Sequence, residues 1–114
     1  MTTPVKLNDQ HCIHGAAALD PAAIRARLLD VPEWQAIDGT IARDFSFADY
    51  RATIAFVNAV AAMAEQQNHH PEMTVGYRRC TVAYTTHSAG GALSENDFIC
   101  AARADAIYVQ GPGA

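Results

Sequence analysis

Residues 34–47 read WQAIDGTIARDFSF, and the class of the fold follows from them. Asp38-Gly39 is a preferred dipeptide for a two-residue turn with positive φ at both positions, since Gly lacks a Cβ and Asp tolerates the left-handed region. Short runs from Trp34 to Ile37 and from Ile41 to Phe47 flank it, so the segment predicts a β-hairpin. In the second run Ile41, Arg43, Phe45 and Phe47 share one parity, and the alternation is imperfect at Arg43. A hairpin pairs its strands antiparallel, whereas parallel pairing requires a long crossover.

The neighbouring segments read as helices. Upstream, Asp20-Pro21 opens one, with aspartate as N-cap and proline at the first helical position. Ile24, Leu28 and Leu29 supply its apolar stripe, and Val31-Pro32 ends it. Downstream, a long helix runs from about Ala48 to Gln67, before Pro71. It carries two stripes, one of Tyr50, Ile54, Val57 and Ala61, the other of Phe56, Val60 and Met63. That width exceeds what one sheet face requires and points to a second contact surface on this helix.

Cys80, Val82 and Tyr84 alternate with Arg79, Thr81 and Ala83 as in a half-buried strand, and a shorter strand is expected near Thr74 to Tyr77. Gly90-Gly91 mark a loop. Ser94 followed by Asp97 is a capping-box-like start to a last helix, whose inward residues are Phe98, Ala101, Ala102 and Ile107. Helix, hairpin, helix, strands and helix make an α+β domain with an antiparallel sheet and helices on one face. Residues 20–110 form that domain, 1–19 are expected as a flexible N-terminal arm, and 111–114 as a frayed tail.

A chain of 114 residues has room for one core. Half its residues are hydrophobic, many of them alanine, so self-association is a reasonable way to bury more surface. The net charge of −4 supplies no basic footprint for nucleic acid. Cys12, Cys80 and Cys100 are an odd number without paired spacing, which does not make a disulfide framework. Neither a leader-like segment nor an apolar run of membrane-spanning length is visible. The expected location is the cytoplasm.

Five histidines are many for this length. His69 and His70 follow the long helix, and His87 follows a strand and precedes the glycine loop. Element ends at a sheet edge are where reactive groups project. Imidazole ordinarily titrates near neutrality, so it can donate and accept protons there. The competing readings are solvated surface histidines, or a zinc site. Against zinc, there is no metalloprotease-type helical pair of histidines and no Cys-x-x-Cys. His11, Cys12 and His14 form a second small candidate cluster in the arm. Trp34, the only tryptophan, is either a core anchor or an aromatic wall for a flat heterocycle.

Glu65-Gln-Gln-Asn-His-His-Pro71-Glu72, then Tyr77, Thr86-His87 with its glycines, and Leu93-Ser94-x-x-Asp97 together resemble the pterin-4a-carbinolamine dehydratase family. Trp34 and the run Arg43 to Phe47 extend the resemblance to about Leu19–Ile107. His-His-Pro alone is a weak signal; the ordered set at this spacing is specific. Two residues depart from the pattern, Asn68 where aspartate is usual and Met73 where an aromatic residue is frequent. The glycine loop after His87 is also one residue longer than in animal members.

The resemblance implies a four-stranded antiparallel sheet with three helices packed on one face, associating as a homodimer or homotetramer. It implies loss of water from a 4a-hydroxytetrahydropterin to give the quinonoid dihydropterin, in the recycling of a tetrahydrobiopterin-type cofactor. No metal and no cofactor is called for, and the partner is the small pterin rather than nucleic acid or membrane. By the same resemblance His69 and His87 are the acid/base pair and His70 holds the pterin. Glu65 orients a histidine or the pterin, Trp34 borders the pocket, and Asn68 and Asp97 complete the binding set. Asp97 either supports a histidine or caps the last helix. The alternative is a binding module. Animal members of the family also bind the dimerisation region of a homeodomain transcription factor, and some plant and bacterial relatives act as assembly factors. Helix 48–67 is the surface expected to serve such a role.

Overall fold

The Asp38-Gly39 turn folds with both residues at positive φ, 51° and 78°, in the computed structural model, which describes residues 6–111. It joins β1 (Gln35–Ile37) to β2 (Thr40–Ser46) in antiparallel register, Ile37 opposite Thr40. A Cβ on Gly39 would meet the carbonyl oxygen of Gly91 at 2.2 Å, so the turn rests against the glycine loop. Only glycine admits that approach.

The remaining elements are α1 (Pro21–Leu28), α2 (Tyr50–Gln67), β3 (Glu72–Val75), β4 (Arg79–Tyr84) and α3 (Glu95–Gln110). Short 3-10 turns lie at Leu7–Asp9 and His87–Ala89. The four strands form one antiparallel sheet in the order β1-β2-β4-β3. In that register Ile41 faces Tyr84, Arg43 faces Val82 and Phe45 faces Cys80, which aligns the apolar parities of β2 and β4. Phe56 and Val60 of α2 and Phe98 of α3 cover that row and are fully buried with it. Burying each such side chain contributes roughly 1.5–3 kcal/mol.

Capping sets the helix starts. The Asp20 side chain accepts from Ala23 N at 2.8 Å, and Asp49 accepts from Ala52 N at 2.8 Å, so α2 begins at Tyr50 rather than Ala48. At α3 both halves of the Ser94/Asp97 capping box are formed. The shorter strand starts earlier than expected, at Glu72 directly after Pro71, and ends at Val75, where Gly76 N bonds Arg79 O at 2.7 Å and closes a turn. Leu29 does not join the apolar stripe of α1. It is the C-cap and is 81% exposed.

Of the two stripes on α2, Phe56, Val60 and Met63 enter the core, whereas Tyr50 and Ala61 are exposed and Ile54 and Val57 half-buried. Residues 6–19, expected as an arm, run along α3 rather than standing free. Leu7 is buried, Arg103 Nε donates to Gln10 O at 3.0 Å, and Leu19 N donates to Leu93 O at 2.8 Å. Residues 1–5 of the expected arm and 112–114 of the expected tail lie outside the described residues. No described helix is long and apolar enough to cross a membrane.

Candidate active site

The end of α2 turns on Asn68, which adopts the left-handed conformation (φ 51°, ψ 41°). Asparagine is one of the few residues other than glycine that occupies this region at modest cost. The reversal presents His69 and His70, and Pro71 then leads the chain into β3.

His69 is half-buried, its ring stacked on Tyr84 at 5.2 Å between centroids and 16° between planes. Its Nε2 lies 2.6 Å from Oδ1 of Asp97, which is wholly inaccessible to solvent. The other oxygen of Asp97 accepts from the Ser94 backbone N–H at 2.8 Å and from the Thr86 hydroxyl at 2.7 Å. A carboxylate only accepts, so the hydrogen bond places a proton on Nε2, and in the neutral tautomer Nδ1 is then the ring's acceptor. The two roles expected of Asp97 as alternatives are both filled, one by each oxygen.

His70 pairs with Glu65 through Nε2 and Oε1 at 3.0 Å, with both side chains more than half exposed. A hydrogen bond in that setting orients the ring and adds little stability. His87 opens the 3-10 turn beyond β4 and is exposed.

Asn68, His69, His70 and His87 line one open cleft of about 770 Å³. The segment Cys12 to Gly15, with Gln67 and Asn96, also lines it. Buried Asp97 and exposed Glu65 are not part of the lining, and each bonds one of its histidines. Trp34 is not brought to it. Its indole is 3% exposed, packs edge-on to Phe45, and donates through Nε1 to Asp105 Oδ1 at 2.8 Å. The expectation that Trp34 borders the pocket therefore fails within one chain; the core-anchor reading holds.

The same carboxylate explains Arg43, the polar residue on an apolar parity. Arg43 Nη1 lies 2.7 Å from Asp105 Oδ1, and its guanidinium sits 4.4 Å from the Phe45 ring centroid. Burial pushes the Asp105 carboxyl above its ordinary range, against the opposing hydrogen bonds from Trp34 and Arg43.

Several participants carried no signal of their own in the sequence. Thr86 was visible only as the neighbour of His87, yet it is buried and bonded to Asp97. Asn96 pairs with both backbone groups of Ile13, at 2.9 and 2.7 Å, and Gln67 Oε1 accepts from Cys12 N at 2.8 Å. These two amides hold the 12–15 segment over the cleft. The arm residues once grouped as a metal candidate separate. His11 meets Gln67, Cys12 meets Cys100 and His14 lines the cleft. Among the described residues no three His, Cys, Asp or Glu side chains are grouped to hold a metal ion.

Chemically, the cleft offers four imidazoles at its surface, those of His14, His69, His70 and His87, which suits proton transfer to and from a small polar molecule. Residues 17–107 match the family described as Pterin 4 alpha carbinolamine dehydratase. A protein of Nitrosospira multiformis named "Putative pterin-4-alpha-carbinolamine dehydratase" is 44% identical over 110 residues, 94% of this chain and 96% of that one. A protein of the same name from Nitrosomonas eutropha is 58% identical over 76 residues, 67% of this chain and 66% of that one. Among solved structures, a transcriptional coactivator/pterin dehydratase from Brucella melitensis superposes with a TM-score of 0.76 at 31% identity, covering 80% of this chain and 98% of that one. A pterin dehydratase-like protein described as a RuBisCO assembly factor in the alpha-carboxysome superposes with a TM-score of 0.56 at 28% identity, covering 66% of this chain and 86% of that one.

Proposed function

The chain belongs to the pterin-4a-carbinolamine dehydratase family, and we infer that it removes water from a 4a-hydroxytetrahydropterin in the cleft between the end of α2 and the 85–88 segment. The observation that carries the reading is the convergence of His69, His70 and His87 on that cleft, with His69 fixed by a buried carboxylate. In the reaction the C4a–O bond breaks with its electron pair going to oxygen, which takes up a proton and departs as water. A ring nitrogen gives up its proton, and the freed pair forms the C=N bond of the quinonoid dihydropterin. Substrate and product differ by water alone, so the step is neither an oxidation nor a reduction, and two positioned imidazoles can supply both proton transfers. Each is worth about 10²–10⁴-fold.

His69, with Nδ1 available as acceptor, serves as the base. His87, which lines the same cleft, serves as the acid that protonates the departing hydroxyl. His70, oriented by Glu65, holds the pterin, and Asn68 contributes an amide at the rim. The direct test is the rate at which the purified protein converts 4a-hydroxytetrahydropterin made in situ by a hydroxylase, with a chelator present. Acceleration that survives the chelator supports the reading, and folded protein that gives none refutes it.

A second role is favoured by the outward row Tyr50, Ile54, Val57 and Ala61 on α2, which nothing among the described residues covers fully. That row would serve self-association as a homodimer or homotetramer, or a protein partner, in line with the coactivator and assembly-factor roles given for the two structural relatives. Neither use requires the histidines. Substitution of Ile54 and Val57 by Lys would abolish assembly without touching the cleft.

A further inference from the structure

The Sγ atoms of Cys12 and Cys100 lie 3.4 Å apart, although 88 positions separate them in the chain. Cys12 is half-buried in the wall of the cleft, and Cys100 is wholly buried on α3. Proton transfer in the cleft makes no use of either thiol. Cys12 is held in place through its backbone by Gln67 and through the next residue by the two bonds between Ile13 and Asn96. The contact is therefore fixed by four groups on two helices and the arm.

We propose that Cys12 and Cys100 are a peroxide-reactive thiol pair that closes to a disulfide, fastening the 12–15 wall of the cleft to α3. The sulfurs need to approach by about 1.4 Å to reach bonding distance. Cys12 lines the cleft, where a small oxidant can enter, while Cys100 is wholly buried and does not line it. The hydrogen bond between the sulfurs holds the Cys12 thiol below its ordinary range against burial, and the same bond together with burial pushes Cys100 up. Cys12 is thus the attacking sulfur and Cys100 the resolving one.

The chemistry balances with hydrogen peroxide as the oxidant. The Cys12 thiolate attacks one peroxide oxygen, the O–O bond breaks, and the departing hydroxide takes a proton to leave as water. Cys12 is left as a sulfenic acid. The Cys100 sulfur gives up its proton, attacks the Cys12 sulfur and displaces hydroxide, which leaves with that proton as a second water. Two thiols and one peroxide yield one disulfide and two waters, the sulfurs losing the two electrons that the peroxide gains.

The inference stands apart from the dehydratase reading and is tested without pterin. The folded protein is treated with a small excess of hydrogen peroxide, denatured in an alkylating reagent and mapped as peptides by mass spectrometry. The expected product is a Cys12–Cys100 crosslinked peptide with Cys80 alkylated. Reduction with dithiothreitol should reverse it, and the oxidised form should melt on the order of 10 °C higher. Cys80, buried with its thiol pushed up by burial, is the internal control. Cys100→Ala should stop the reaction at a Cys12 sulfenic acid that dimedone traps, and Cys12→Ser, altering only the half-buried partner, should leave Cys100 unoxidised. Alkylation of both Cys12 and Cys100 after peroxide, a crosslink through Cys80, or a Cys12–Cys12 crosslink between chains overturns the proposal.

Discussion

Nε2 of His69 lies 2.6 Å from Oδ1 of Asp97, and this one bond ties the turn after α2 to the first turn of α3. The carboxylate also caps α3 through Ser94 N and accepts from Thr86, so three donors meet on a group with no solvent contact. Stability and histidine orientation are thereby carried by one side chain.

Asp97→Asn is expected to lower both stability and turnover. The amide turns two hydrogens toward donors and leaves at least one of them unpaired, at a cost of about 1–3 kcal/mol. Losing the fixed His69 tautomer should reduce kcat of the proposed dehydration by about 10²-fold or more while KM changes little. Thermal melts and steady-state kinetics read the two effects separately. A variant with a lowered Tm and unchanged kcat would leave Asp97 a cap alone.

His69→Ala and His87→Ala should each slow dehydration by about 10²–10⁴-fold, and His70→Ala should mainly raise KM. His70 and His87 are exposed, so those two variants should melt close to the parent. Full activity in all three variants would remove the acid/base assignment.

Asn68 separates a backbone role from a chemical one. Any residue with a Cβ pays for the left-handed conformation, so Asn68→Ala should cost about 1 kcal/mol of stability, and Asn68→Gly should be close to neutral. Asn68→Asp restores the carboxylate usual at this place and should leave activity equal or higher. A large loss of activity in Asn68→Asp would show that the cleft is built around the amide.

Asp105 gives a pH signature at the far end of the sheet. Its folded pKa is raised above the ordinary 3.8 because burial outweighs the bonds from Trp34 and Arg43. Between those values the folded state binds more protons than the unfolded state, so this group's contribution to stability falls as pH rises from 3.8 and levels off above the folded pKa. Asp105→Asn keeps an acceptor for both partners and cannot titrate. The stability of the parent relative to this variant should decline with pH over that range in denaturant titrations. A difference that stays flat or grows with pH contradicts the shift.

The partly exposed row on α2 was legible as a second stripe because helical periodicity is local, and the imperfect alternation at Arg43 was legible as an anomaly. Neither pattern named the partner. Arg43 found Asp105, which lies 62 positions away, and Trp34 found the same carboxylate instead of the cleft.

The sequence by itself determined the pieces whose causes are short-range. These are the hairpin at Asp38-Gly39, the caps at Asp20 and Ser94/Asp97, the alternation of β4, and the ordered histidine motif that identified the family. Each depends on φ preference, capping or side-chain period within a few residues. Tertiary structure alone decided that Asp97 serves both its helix and His69, that Thr86 completes that network, and that Cys12 to Gly15 wall the cleft beside a Cys12–Cys100 contact. Those relationships join residues 11 to 88 positions apart, and which of them meet is set by the sheet order β1-β2-β4-β3 and the packing of α2 on α3, for which no local stretch carries the information.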